Sequence, residues 1–438
     1  MRDLMKKRPS PMVVALRNGS RKARNGALLG GVAVLSVLAI AAPAHADSVT
    51  DWDQIAAAAL QSPGTATPPG AGQAAPSIVH LAMVHAAVYD AVNAIDGGHE
   101  PYASSPAAEP WYSQDAAVAT AAHHVLVNGG LGIPAARLDA INTAYQAALD
   151  AIAPGPAKDG GIATGEAAAV ALLAARAGDG RFGTFRFTVG TLPGEWRPTS
   201  GVNDPFAWVK DVTPFVLRDP DLFRARAPHG LTTRAYAADF NEVKAVGSVG
   251  SAVRTPGQTA SANYWGLTNP AATMSSILRS VANGQGGTLA DHARLLARAY
   301  TNGADALIVT WRDKARYSFW RPVTAIQEAA SDDNPATEAD PAWLPLITTP
   351  PYPDHPSALS ALGCAAVDTM QHFYGRDEAT FSGTTPGGVT RTFTSFSEVC
   401  ADIVDARVWA GVHFRFADEE AAKIGRRVAH WGNRHAFR

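Results

Sequence analysis

Residues 77–95 read SIVHLAMVHAAVYDAVNAI, a run with apolar residues at helical spacing that stops at Gly97-Gly98. That period and that stop are the pattern of a packed helix. Residues 115–127, 135–152 and 165–177 read the same way and complete an N-terminal helical layer. Residues 234–245, 271–282, 289–312, 356–374, 397–409 and 419–431 repeat the pattern downstream. The helix over 356–374 opens at Pro356-Ser357, and proline suits a first turn. Residues 181–189 alternate as a short strand would, within a Gly- and Pro-rich stretch, 178–225, expected to be mostly irregular. So long a loop implies a surface cover or a site wall. Residues 332–353 are a Pro-rich connection, and residues 383–396, around Pro386-Gly387-Gly388, alternate Thr and aromatic residues as a hairpin does. The expected fold is all-α: two packed helical layers or bundles, one short hairpin and no internal repeat.

The first 46 residues are read apart from that fold. Arg17, Arg21, Lys22 and Arg24 precede an apolar run over 27–42, and Ala44-His45-Ala46 follows as a small-x-small cleavage site. This is the pattern of a secretory signal peptide cleaved after Ala46. The alternative is an uncleaved anchor, but the run is shorter than the ~20 residues of a bilayer span. The expected organisation is therefore a signal over 1–46, an N-terminal layer with its irregular cover over 47–225, and a C-terminal bundle over 226–438. The processed chain is expected to be exported and without a membrane span. The signal takes eight Lys/Arg and one Asp with it, leaving 29 basic against 38 acidic residues, a balance of −9. An acidic chain without a basic block is a poor nucleic-acid binder. An anionic ligand must then meet a local basic pocket.

Three clusters of the C-terminal half carry chemistry: residues 314–322 (KARYSFWRP), 356–360 (PSALS) and 407–413 (RVWAGVH). Lys314 and Arg321 lie seven apart, two turns along one face if both are helical. A guanidinium forks two oxygens of an oxyanion, and an ammonium serves as a point charge. Ser357 and the Ala358 backbone stand where a helix begins, a place that suits anions. Taken singly, each cluster has an ordinary reading. Lys314 and Arg321 would be a solvated face, Ser357 a helix cap, and His413 a structural histidine packed near Trp409 and Phe414.

Together and in this order, they resemble the three-part motif of the vanadium-dependent haloperoxidases and the PAP2-type acid phosphatases. That motif is Lys, six residues, Arg-Pro; then Pro-Ser-Gly-His; then Ser-Arg, three residues, Gly, one residue, His. HAAVYDAVNAI (85–95), WRDKARYSFWRPVTAI (311–326) and WAGVHFRFADEEA (409–421) also look like the bacterial haloperoxidase-related branch. The resemblance implies vanadate as cofactor, with phosphate able to occupy the same site. It implies Lys314, Arg321, Ser357, Ala358 and Arg407 as oxyanion contacts and His413 as the group bonded to the central atom. That bond would be axial ligation to vanadium in a haloperoxidase, or nucleophilic attack on phosphorus in a phosphatase. Trp311 and Tyr352 fall where a halide-pocket wall is implied. Substrates would be peroxide and halide, or a phosphate ester.

Departures from the motif matter. Ala406 replaces its Ser, Ala358 its Gly, and Leu359 its acid–base His. Alanine tolerates fewer backbone conformations than glycine, which bears on close approach of an oxyanion to residue 358. Leu359 can neither protonate a leaving oxygen nor take protons from peroxide, help worth ~10²–10⁴ in rate. His355 is then either a displaced substitute or a wall residue. Three readings stand: a haloperoxidase-like enzyme, a phosphomonoester hydrolase on the same cage, and a non-catalytic oxyanion binder. Zinc is not expected, because His80 and His85 point to different helix faces and His123-His124 cannot chelate from one face. Cys364 and Cys400, the only cysteines, are by count a disulfide or two free thiols. If Ser357 and Arg407 meet at the implied pocket on antiparallel helices, each cysteine lies two turns away at the same level, ~10.5 Å along, and a bridge is expected.

Overall fold

The computed structural model describes residues 47–61, 74–267 and 269–438; the expected signal segment lies outside them. Among the described residues the chain is helical apart from one two-stranded hairpin, in agreement with the expected all-α class. Asp47 caps the first helix, α1 (Ser48–Leu60), through a capping box with Thr50. α2 (Ala74–Asp96) is buried on almost every side and packs against α3 (Gln114–Asn128) and α5 (Pro156–Ala175); α4 (Ala135–Asp150) lies against α3. α2 is also the one described helix long and apolar enough to cross a membrane, and its apolar surface is used up in the core. α6 (Arg234–Val246), α7 (Pro256–Gly266) and α8 (Pro270–Gln285) lead to α9 (Leu289–Tyr317). α9 packs on α2 and also on α11 (Ala358–Tyr374) and α13 (Arg415–His435), so it ties the N-terminal helices to the site-bearing ones. α12 (Phe396–Trp409) packs on α11. α11 and α13 approach so closely that a Cβ on Gly425 would overlap the Ala361 carbonyl.

Several expectations are corrected. Residues 181–189 form no strand: the segment is held by Asn203, whose side chain bonds the N–H and C=O of Phe187. The helix expected over 165–177 starts at Pro156, and Gly161 and Gly165 let it lie directly on α3, where a Cβ would overlap the Ser113 and Ala117 carbonyls. α1 and α7 carried too weak a pattern to be read. Lys314 and Arg321 do not share a helix, since Ser318 ends α9 in a left-handed conformation and Arg321 caps α10 (Pro322–Gln327). The hairpin, β1 (Glu378–Thr384) with β2 (Thr390–Ser395), begins earlier than expected.

The irregular stretch over 178–225 is pinned along α9 by buried carboxylates. Asp305 accepts the N–H groups of Phe215, Val216 and Leu217, and Asp313 accepts that of Ala225. At its middle, the Asp204 N–H bonds the Pro351 carbonyl, beside the second cluster. The stretch therefore serves both as cover and as site wall. Cys364 and Cys400 form a disulfide with a Cα separation of 4.8 Å, as the antiparallel argument required.

Candidate oxyanion site

Four elements bring the three clusters together. Lys314 comes from the last turn of α9, Arg321 from the turn into α10, Ser357 from the cap of α11, and Arg407 from the end of α12. Gly411, at φ 78°, reverses the chain so that His413 points back at Arg321; a Cβ there would overlap the Gly247 carbonyl. Lys314, Arg321, Ser357 and His413 are essentially inaccessible, and Arg407 is buried.

Arg321 is held by its Nε to the Tyr352 carbonyl at 2.8 Å and by Nη1 to the Val412 carbonyl at 2.6 Å. The same Nη1 lies 3.1 Å from Nε2 of His413. His413 Nδ1 meets Asp354 Oδ1 at 2.8 Å, and Arg321 Nη1 stands 3.8 Å from that oxygen. Lys314 Nζ donates to the carbonyls of Pro353 at 2.6 Å and Asp354 at 2.9 Å. An ammonium has three N–H donors, so one remains. Tyr352 and Trp311 pack ring to ring at 5.2 Å, and the Tyr352 ring faces both Lys314 Nζ and the Arg321 guanidinium at 4.9 Å. The two expected wall residues thus line the cationic groups. Ala358 opens α11 without a positive φ, so alanine in place of glycine costs no strain.

Burial pushes the pKa of Lys314 well below its ordinary value, and the neighbouring Arg321 adds to this. Burial likewise lowers Arg321 and Arg407. His413 is driven well below its usual range by burial, then by Arg321, Lys314 and Arg407, so the ring is neutral. In the tautomer that gives its Nδ1–H to Asp354, Nε2 carries the lone pair, and Arg321 Nη1 faces it at 3.1 Å. Buried cations without full compensation favour an incoming anion.

In the cage, Arg321 Nη2, Arg407 Nε and Ser357 Oγ are buried donors without a partner. Ser357 occupies the cap position of α11, yet its side chain makes no capping bond. Buried polar groups are nearly always paired, so this donor set, with the third N–H of Lys314, fits a tetrahedral oxyanion such as vanadate or phosphate.

His355 does not point at these groups through any hydrogen bond. Its Nε2 meets the Arg226 carbonyl at 2.8 Å, and its ring packs on Tyr317 and Phe416, each at 5.3 Å. Leu359 belongs to the main apolar core. Two carboxyls that the motif reading left without a role stand in the site, Asp354 and Asp418, each with one buried oxygen lacking a partner. The signal for Asp418 was there: it shares the buried stripe of α13 with Ala417, Ala421 and Ala422. The helix expected over 419–431 starts after it, whereas α13 begins at Arg415.

Fold and site together define a helical protein built round a buried cationic cage. Residues 294–438 match the family model described as the VCPO second helical-bundle domain. The vanadium chloroperoxidase of Curvularia inaequalis is 27% identical over 202 residues, covering 40% of this chain and 32% of the relative, so the match spans about a third of that relative's length. A crystal structure described as the first bacterial vanadium-dependent iodoperoxidase superposes with a TM-score of 0.74 at 21% identity, over 89% of this chain and 95% of that one. A holo-type bacterial vanadium-dependent chloroperoxidase superposes with a TM-score of 0.67 at 16% identity, over 86% of this chain and 94% of the other. These matches support the superfamily resemblance carried by the three clusters: the family model covers about a third of the chain, and the solved structures share its fold.

Proposed function

We propose that the protein is an exported enzyme of the vanadium haloperoxidase kind. It would take vanadate as cofactor and peroxide and halide as substrates, with its proton chemistry impaired by Leu359. The observation that carries this reading is the convergence of buried Lys314, Arg321 and Arg407 on His413, with donors on Arg321, Arg407 and Ser357 left unpartnered. When bound, vanadate supplies an electrophilic centre that activates peroxide. The chain's residues do the rest. Arg321, Arg407, Lys314 and Ser357 hold and orient the oxyanion. Asp354 keeps His413 Nε2 turned to the cage. Trp311 and Tyr352 wall a water-poor space in which charge–charge terms are strong. The residue at 359 contributes no proton.

A second reading is phosphomonoester hydrolysis. It is favoured by the neutral His413 hydrogen-bonded to the Asp354 carboxyl, the arrangement of an oriented nucleophile. There the His413 nitrogen forms a bond to phosphorus as the ester oxygen leaves, and that oxygen needs a proton from a group other than residue 359. A third reading, anion binding without turnover, is favoured by the placement of Leu359 in the apolar core. Titrating the purified protein with vanadate in the presence of peroxide and bromide decides among them. Halogenation supports the first reading, ester turnover the second, and binding without either the third. Export rests on the signal-like pattern of residues 1–46. N-terminal sequencing of secreted protein tests it: a start at Asp47 is expected.

A further inference from the structure

A cage for an anion should not present free carboxylate oxygens, yet the Asp204, Asp354 and Asp418 carboxyls each keep one buried oxygen without a partner. Asp204 lies toward Trp311 and Lys314 and Asp354 is bonded to His413, while Asp418 lies at the start of α11. It is wholly buried, and its Oδ1 accepts from Ser360 Oγ at 2.7 Å, while Oδ2 has no partner. Its neighbour Ala417 accepts the N–H of Ser357 at 2.9 Å. These two ties bracket residue 359 from the α13 side, so the carboxyl lies across the start of α11, against the unpartnered Ser357 hydroxyl.

We propose that Asp418 is the proton-holding residue of this site, and that an oxyanion binds with the Asp418 carboxyl protonated and donating its O–H. The proposal rests on the oxyanion reading above and deepens it. Binding a dianion when Asp418 is ionised then takes up one proton from solvent, which stays on the carboxyl oxygen facing the anion. An ionised carboxylate there would leave Oδ2 unpaired and repel the ligand, whereas the acid form supplies the donor that residue 359 lacks. The groups around Asp418 are Ser357 and Ser360 on α11, Arg407 on α12, Arg415 on α13, Lys314 on α9, and Arg321 and Asp354 of the adjoining turns. Burial outweighs the nearby Ser357 and Ser360 hydroxyls and the arginine charges and raises Asp418 to about 7, so both forms are accessible near neutrality. His355 is a poorer holder, tied as it is to the Arg226 carbonyl.

The test is sulfate binding by calorimetry on the whole protein, because sulfate itself stays ionised throughout. Affinity of the unaltered protein should fall about tenfold per pH unit above neutrality, or roughly 100-fold by about pH 9. Asp418→Asn, which keeps a donor, should flatten that slope and bind at about pH 9 as the unaltered protein does near pH 6. Asp354→Asn should keep the slope. Independently of any variant, repeating the titration near pH 8 in buffers of different ionisation enthalpy should show net uptake of about one proton per sulfate. A flat profile with sulfate bound, an unchanged slope in Asp418→Asn, or no proton uptake overturns the proposal. Absence of sulfate binding near pH 6 overturns the oxyanion reading itself, and this proposal with it.

Discussion

His413 and Asp354 are joined by a buried hydrogen bond of 2.8 Å between Nδ1 and Oδ1, with Arg321 against the same imidazole. The bond decides which nitrogen is offered to a bound oxyanion. Carboxylate partners that orient a ligand histidine are typically worth 10–100-fold in affinity or activity. Asp354→Ala should therefore weaken vanadate binding about 10–100-fold, and Asp354→Asn should recover most of it, since the amide oxygen still accepts from Nδ1. Equal or tighter vanadate binding by the Ala variant would show that the charge of Asp354 matters more than its orienting bond.

Arg321 is inaccessible and serves the Tyr352 and Val412 carbonyls, His413 and Asp354 together. Truncation leaves Asp354 buried beside carbonyls that have lost their donor. Arg321→Ala should lose about 3–5 kcal/mol of stability, the usual cost of breaking a buried pair, and should abolish oxyanion binding. Denaturant unfolding and a vanadate titration check the two effects separately. A variant of unchanged stability would contradict the contacts described.

Leu359→His should restore turnover on esters with poor leaving groups by up to ~10²–10⁴, and on nitrophenyl-type esters by much less. Oxyanion affinity should change little, since the clamps are untouched. His355→Ala should leave turnover almost unaltered, because that ring is engaged by Arg226, Tyr317 and Phe416. Loss of turnover in His355→Ala, with no effect of Leu359→His, would make His355 the working acid–base group.

The Cys364–Cys400 bridge closes a sequence separation of 36 residues between two buried positions. Restricting the unfolded chain to this degree is worth about 2–4 kcal/mol. Cys364→Ala with Cys400→Ala should lower stability by that amount in denaturant. Thiol reductants should act on the native protein only once denaturant opens it; rapid reduction without denaturant would argue against the burial.

Asp47 Oδ2 and His292 Nδ1, 2.6 Å apart, tie the cap of α1 to the first turn of α9. Burial disfavours both charges, but the hydrogen bond and mutual attraction outweigh it. They hold His292 above its ordinary pKa and Asp47 below its own. The His292 contribution is fully present below the ordinary histidine pKa of about 6.5 and is lost as pH rises through the raised folded value. The Asp47 contribution is present above about 3.9 and is lost as pH falls through the lowered folded value. Hydrogen-exchange protection of Ser48–Leu60 should therefore decline on the alkaline side, and His292→Gln should flatten that decline. A decline of the same size in the variant would remove His292 from the account.

The sequence by itself determined the helical class, because the period of its apolar residues survives in the final packing of α2, α9 and α11. It also determined which groups could serve an oxyanion, since the three clusters keep the order and spacing of the superfamily motif. Local pattern did not extend to contacts made across long separations. The left-handed Ser318 takes Arg321 off the helix of Lys314, and only the turn that follows returns it to His413. The bond from His413 to Asp354, the tie from Asp418 to Ser360 and the withdrawal of His355 toward Arg226 each join residues about 60 or more positions apart. Such contacts depend on how helices dock, because burial strips these side chains of water and they bond whatever the neighbouring element presents. Residue 359 was legible as a leucine from the start; that a carboxyl from α13 lies across the same helix start was decided only when α11 and α13 packed.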